Sequence, residues 1–194
     1  MSSALIFILR SLIGLYIVAF LLRAILQWVR ADIRNPLSQF ILRITNPLVL
    51  PVRRVVPSIG PADTASLLIA LVLQILATTI LIQFACIGDA NPLQIAWISV
   101  LQLVHLVLRI GFFVIIVYVI LSWISPAGSY NPAASLLASI VEPLLAPLRR
   151  LIPPIGGIDL SPLFAIIAIQ AVTMVLPIGQ AMSGLLCSAA GRLF

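Results

Sequence analysis

The sequence predicts an all-α integral membrane fold. Four transmembrane helices arise from a tandem two-helix repeat, with interfacial amphipathic helices in the cytoplasmic connections. Three observations carry this expectation. Of 194 residues, 62% are hydrophobic and 8% charged, whereas a soluble domain averages about 45–50% apolar and roughly 25% charged. Four apolar runs are long enough for a bilayer core, which needs about 20 residues of helix. A proline-, arginine- and glycine-bearing motif ending in aspartate occurs twice.

The first span is expected over residues 4–29, with Arg10 and Arg23 inside it. They are 13 positions apart, or about 20 Å of helix. Each long side chain is therefore expected to snorkel to its own interface as an end marker. The second span, 64–87, carries no charge, and the third, 95–124, holds His105 and Arg109. The fourth, 160–186, contains Pro177 as the expected kink.

Orientation follows from arginine placement. All 11 cations are arginine, and the net charge is +6. Arg30, Arg34, Arg43, Arg53 and Arg54 follow span one, and Arg149 and Arg150 follow span three. The segment between spans two and three has none. The Arg-bearing connections are expected in the cytoplasm, with both termini outside, although Arg192 opposes this mildly. The basic balance thus reads as membrane topology, and no nucleic-acid partner is expected.

The duplication is read directly. At a constant offset of 96, residues 45–74 and 141–170 share 11 identities in 30 positions. Pro47, Pro51, Arg53, Arg54, Pro57, Gly60 and Asp63 align with Pro143, Pro147, Arg149, Arg150, Pro153, Gly156 and Asp159. Asn35-Pro36 matches Asn131-Pro132, and Trp28 matches Trp123 at an offset of 95. The expected units are residues 1–90 and 91–194. With two spans each, they run parallel about an axis along the membrane normal.

The connections carry the informative residues. Asn35-Pro36 and Asn131-Pro132 are N-cap and first-turn signatures. Leu37, Phe40, Ile41 and Ile44 fall on one helical face, as do Leu136, Leu137, Ile140, Val141 and Leu144. Both faces are expected to lie against the membrane interface. Pro47 and Pro143 are expected to restart a helix, and Pro51 and Pro147 to bend or break it. Gly60 and Gly156 sit in stiff turns before Asp63 and Asp159, the expected N-caps of the following spans. Arg53, Arg54, Arg149 and Arg150 are the candidate contacts for anionic lipid or a partner. The bland reading makes them topology and lipid anchors. A proton-coupling role for the aspartates is disfavoured, because such carboxylates normally lie deeper.

Other chemistry is sparse. His105 and Arg109 share a helical face. A lone histidine in a span can ligate haem, but a polar contact between helices is the better reading. Gln74 and Gln170 are expected to hydrogen-bond between helices. Whether Cys86 and Cys187 pair is open. With one histidine and one glutamate, the chain offers no catalytic set, no metal cluster and no cofactor site, so an enzyme is not expected.

The doubled NP-x-x-x-P-x-RR-x-x-P-x-x-G-x-x-D pattern resembles that of the YggT family, also called YlmG, over nearly the whole chain. Glu142, standing where the first copy has Asn46, is a departure. The resemblance implies a multi-pass protein with no catalytic residues to carry over. It links bacterial members to osmotic tolerance, division and membrane organisation, and plastid members to haem attachment and nucleoid distribution. The expected function is a non-enzymatic inner-membrane scaffold or assembly factor, forming homo-oligomers or binding another protein. The alternative is a small oligomeric channel or transporter for ions or osmolytes.

Overall fold

The computed structural model describes residues 2–85, 91–124, 131–151 and 159–178. Six helices occur in them: α1 Ser2–Trp28, α2 Pro36–Arg53, α3 Thr64–Ala85, α4 Pro92–Ile124, α5 Pro132–Leu151 and α6 Ser161–Val175. No strand occurs among the described residues beyond one isolated bridge, Ile59 to Ala62. Cys86, Cys187 and Gly156 lie outside the described residues, as does the fourth expected span beyond residue 178.

Three helices are long and apolar enough to cross a membrane: those containing Phe7–Trp28, Thr64–Ile82 and Pro92–Ile124. Their outward surfaces carry large apolar side chains, among them Phe7, Leu15, Val72, Leu76 and Ile120. In water such a surface would be an aggregation hazard, whereas hydrocarbon solvates it. α6 is apolar but only 15 residues long. The helix is interrupted at Leu176, because the residue before a proline is pushed to extended backbone, and Ile178 just beyond Pro177 is again helical. Leu176 adopts φ −65° and ψ 123°.

Each connecting helix is continuous, so Pro47 and Pro143 do not restart a helix and, of the expected bend or break at Pro51 and Pro147, the break does not occur. α2 runs through Pro47 and Pro51, and α5 through Pro143 and Pro147. All four prolines lie on the exposed face of their helix. There the carbonyls deprived of a donor face outward and the helix need not break. Each helix starts as its Asn-Pro pair predicts. Asn35 Oδ1 accepts from Leu37 N–H at 2.9 Å, and Asn131 Oδ1 from Ala133 N–H at 3.0 Å. Asn35 Nδ2 also donates to the Pro132 carbonyl at 2.6 Å, tying the two helix starts together.

The two amphipathic helices differ in which face they bury. On α2 the stripe containing Leu37, Phe40 and Ile44 is exposed, and Ser38, Thr45 and Val49 face inward. On α5 the expected membrane-facing stripe instead packs inward through Leu136, Ile140 and Val141. Burial against neighbouring helices removes those side chains from any interface.

α1 packs on α3, α3 on α4, α4 on α5 and α6, and α2 against both α1 and α5. Phe20, Val49, Ala65, Ala70, Ile115, Val141 and Leu145 are fully buried where these elements meet. α1 ends with Arg30 at φ 52°. Ala31 N–H reaches the Leu26 carbonyl at 2.9 Å and Arg30 N–H the Gln27 carbonyl at 3.2 Å. This is a Schellman cap, and it satisfies carbonyls that the helix end leaves free.

Candidate functional site

The turn after α2 brings the repeated motif residues onto the start of α3. Gly60 holds φ 60°, the left-handed region that glycine enters without Cβ strain. The chain then reverses, and Thr64 Oγ1 donates to the Pro57 carbonyl at 2.8 Å. Asp63 is thereby placed at the N-terminal end of α3. Its Oδ1 accepts from Ser66 N–H at 3.4 Å and its Oδ2 from Ser66 Oγ at 2.7 Å.

Asp63 is completely buried, between two arginines. Arg23 Nε lies 3.2 Å from Oδ2, and Arg53 Nη2 lies 2.9 Å from Oδ1. Arg23 Nη1 also donates to Thr45 Oγ1 and to Asn46 Oδ1, both at 2.8 Å. Arg53 Nη2 donates to Gln27 Oε1 at 2.9 Å. One carboxylate thus gathers α1, α2 and α3. Burial alone would raise the Asp63 pKa. The Ser66 hydroxyl and the Arg53 guanidinium outweigh it, and the carboxyl is held below the usual range.

Arg23 is not a free snorkelling cation. Its side chain is 5% exposed and paired with Asp63. The expectation treats the helix alone, and a buried carboxylate offers a better partner than a distant headgroup. An arginine within a span, followed by an aspartate cap on the next span, is the sequence signal that points to this pair.

The second copy of the motif builds a different arrangement. Arg149 Nε lies 2.8 Å from Asp159 Oδ2, and Arg149 Nη1 lies 2.8 Å from Glu142 Oε2. Asp159 Oδ1 accepts from Ser161 N–H at 2.9 Å at the start of α6. Burial by itself would raise the Asp159 carboxyl, but the Ser161 bonds and Arg149 hold it below its ordinary range. The bond to Asp159 raises Arg149 above the usual guanidinium value, with Tyr118 and Glu142 adding to it. Here one cation meets two carboxylates, whereas around Asp63 two cations meet one. The first cluster carries a net charge of +1 and the second of −1. Two substitutions between the copies cause this. Glu142 replaces Asn46, and Tyr118 falls at the position matching Arg23 in the register set by Trp28 and Trp123.

The structure therefore splits each arginine pair. Arg53 and Arg149 turn inward to aspartate, and Arg54 and Arg150 are exposed. An apolar cavity of about 350 Å³ adjoins Asp63, walled by Leu21, Leu67, Ile110, Ile140 and Ile169. No group of three or more potential metal-ligating side chains occurs among the described residues.

The CCB3/YggT family model matches residues 2–84 and again 97–180. The chain belongs to the CCB3/YggT family. It is 45% identical over 175 residues to an uncharacterized protein of Pseudomonas aeruginosa, covering 90% of this chain and 88% of that one. It is 38% identical over 173 residues to YggT of Escherichia coli K12, covering 89% and 88%. A Vibrio alginolyticus relative is 39% identical over 165 residues, covering 84% and 88%. No solved structure matches. Each stretch matched by the CCB3/YggT model holds one aspartate paired with arginine, Asp63 with Arg23 and Arg53 in the first and Asp159 with Arg149 in the second.

Outside these clusters, Gln74 Nε2 donates to Gln102 Oε1, which also accepts from Thr78 Oγ1 at 3.0 Å. Ser99 Oγ joins Thr78 Oγ1 at 3.2 Å, so a polar chain crosses between α3 and α4. Gln170 is exposed and makes no such bond, unlike Gln74. It lines a cleft of about 340 Å³ with His105, Arg109 and Thr173.

Proposed function

We propose that this CCB3/YggT-family protein is a non-enzymatic scaffold or assembly factor of the bacterial inner membrane. In this reading α1, α3, α4 and the apolar segment 160–186 cross the bilayer as two parallel repeats, residues 1–90 and 91–194. The connections bearing α2 and α5 face the cytoplasm. The supporting observation is the split of each arginine pair. Arg53 and Arg149 are anchored to aspartate, and Arg54 and Arg150 stand exposed beside them. A guanidinium held at the C-terminal end of a helix, as Arg54 and Arg150 are, suits anionic headgroups or an acidic partner surface. The apolar cavity beside Asp63 offers room for a lipid acyl segment. The processes served are membrane organisation, division or osmotic tolerance, with homo-oligomers as one mode of assembly.

Cross-linking in native membranes followed by mass spectrometry tests this. Wild type should capture division or assembly proteins, or retain anionic lipid. Arg54→Gln with Arg150→Gln should lose that capture while inserting normally. Equal recovery from both would overturn the reading.

A small oligomeric channel or transporter is the second reading. It is favoured by the polar groups that α4 and α6 direct into one cleft. Proteoliposomes that pass no ion or osmolyte under an osmotic gradient would exclude it.

A further inference from the structure

Arg109 has no counter-ion among the described residues, and its depth makes that consequential. Trp97 and Trp123 on α4 are both exposed, as aromatic side chains at the two membrane interfaces are. Arg109 lies 12 positions from the first and 14 from the second, or about 18 and 21 Å along the helix. Snorkelling cannot bring its head to either interface. An ionised group at this depth is costly unless something pairs with it.

No described residue supplies such a partner. Arg109 is exposed, with no hydrogen bond or ion pair to any described residue. Of the five acidic residues, Asp32, Asp63, Glu142 and Asp159 lie at the end of the bundle carrying α2 and α5. Asp89 falls in sequence between α3 and α4. Two further polar groups face the same cleft without partners among the described residues. His105 Nδ1 is buried and unbonded, and the Gln170 amide makes no hydrogen bond. Thr173 Oγ1 is already committed to the Ile169 carbonyl at 2.8 Å. Phe112 and Phe113 close the apolar side of the cleft.

We infer that this cleft between α4 and α6 binds a monovalent carboxylate. A planar guanidinium matches a carboxylate with two parallel hydrogen bonds. One negative charge neutralises Arg109, and the Gln170 amide and His105 ring supply further hydrogen-bonding groups at the rim. A second copy packed on this cleft about a two-fold axis would bring another Arg109 rather than an anion, so that contact does not satisfy the charge. Two sources share the required chemistry, a fatty acid entering from the bilayer and a water-soluble carboxylate.

His105 is the single histidine of the chain, so its ring nitrogens report on this cleft alone. Full-length protein labelled with ¹⁵N-histidine is placed in phosphatidylcholine nanodiscs and titrated with oleate and, separately, with benzoate. A saturable change in the His105 ring signals is expected with at least one. A response to oleate alone marks the bilayer as the source, and a response to benzoate alone marks the aqueous phase. Arg109→Gln should weaken the response roughly tenfold or more, as loss of a charge-assisted pair does. Arg109→Lys should retain part of it, and Gln170→Leu, which leaves the charge in place, should weaken it less. No saturable change with either carboxylate would overturn the inference. So would an undiminished response in Arg109→Gln, or a change that follows protein concentration instead of added carboxylate.

Discussion

Arg23 Nε and Asp63 Oδ2 stand 3.2 Å apart with side chains 5% and 0% exposed. This buried ion pair fastens the first apolar helix to the start of the next, 40 residues later. Asp63 is also shared with Arg53 on α2, so the carboxylate closes a three-helix junction.

Removing that carboxylate leaves two cations facing each other in a buried site. Asp63→Ala should therefore destabilise by about 3–5 kcal/mol, the range for breaking a buried pair on one side. Asp159, 37% exposed in its side chain, is screened by solvent, and Asp159→Ala should cost under about 1 kcal/mol. Unfolding midpoints in mild detergent, compared for the two variants, check the contrast.

Acid should act through Asp63 in a defined direction. Its pKa is lower folded than unfolded. The stabilisation is therefore fully present above the unfolded value of about 3.9, and is lost as pH falls through the folded value. Wild-type stability should hold from neutral pH down to about 5 and then decline. Asp63→Asn should start lower and decline less on acidification. Unfolding midpoints in mild detergent, followed across this pH series, read both slopes.

Gly60 occupies left-handed backbone with open space where a Cβ would stand. The cost of a side chain there is conformational, not steric against neighbours. Gly60→Ala should destabilise by about 1–2 kcal/mol, and Gly60→Asn by less, because asparagine enters this region more readily. The same detergent unfolding measurement separates them.

Gln74 and Gln102 hydrogen-bond across α3 and α4. Bonds of this kind average about 0.6 kcal/mol in membrane helix bundles. A double-mutant cycle with Gln74→Leu and Gln102→Leu should return a coupling of that order. Thr78 keeps a bond to the Gln74 carbonyl, so the loss should not unfold α3.

The helical and membrane character of this chain is legible in its sequence because both follow from local composition. Runs such as 64–85 leave the backbone no polar alternative to helix, and no lysine or acid interrupts them. The Asn-Pro starts of α2 and α5 are legible for the same reason, since a cap and its first turn are neighbours in sequence. The family is written in the doubled motif, whose prolines, arginines, glycine and aspartate stand at fixed spacing. Contacts between distant residues are not legible in this way. Arg23 reads as a snorkelling end marker until α3 places Asp63 against it. The members of each Arg pair look equivalent until helix phase turns one inward and the other out. Gln74 and Gln170 match in the repeat, yet only Gln74 faces an amide, because α4 presents Gln102 to α3 and Arg109 to α6. Composition and short-range spacing by themselves determined which segments are helical. Only the packing of those helices decided which charges are neutralised and which remain available, because pairing depends on distances that local sequence does not encode.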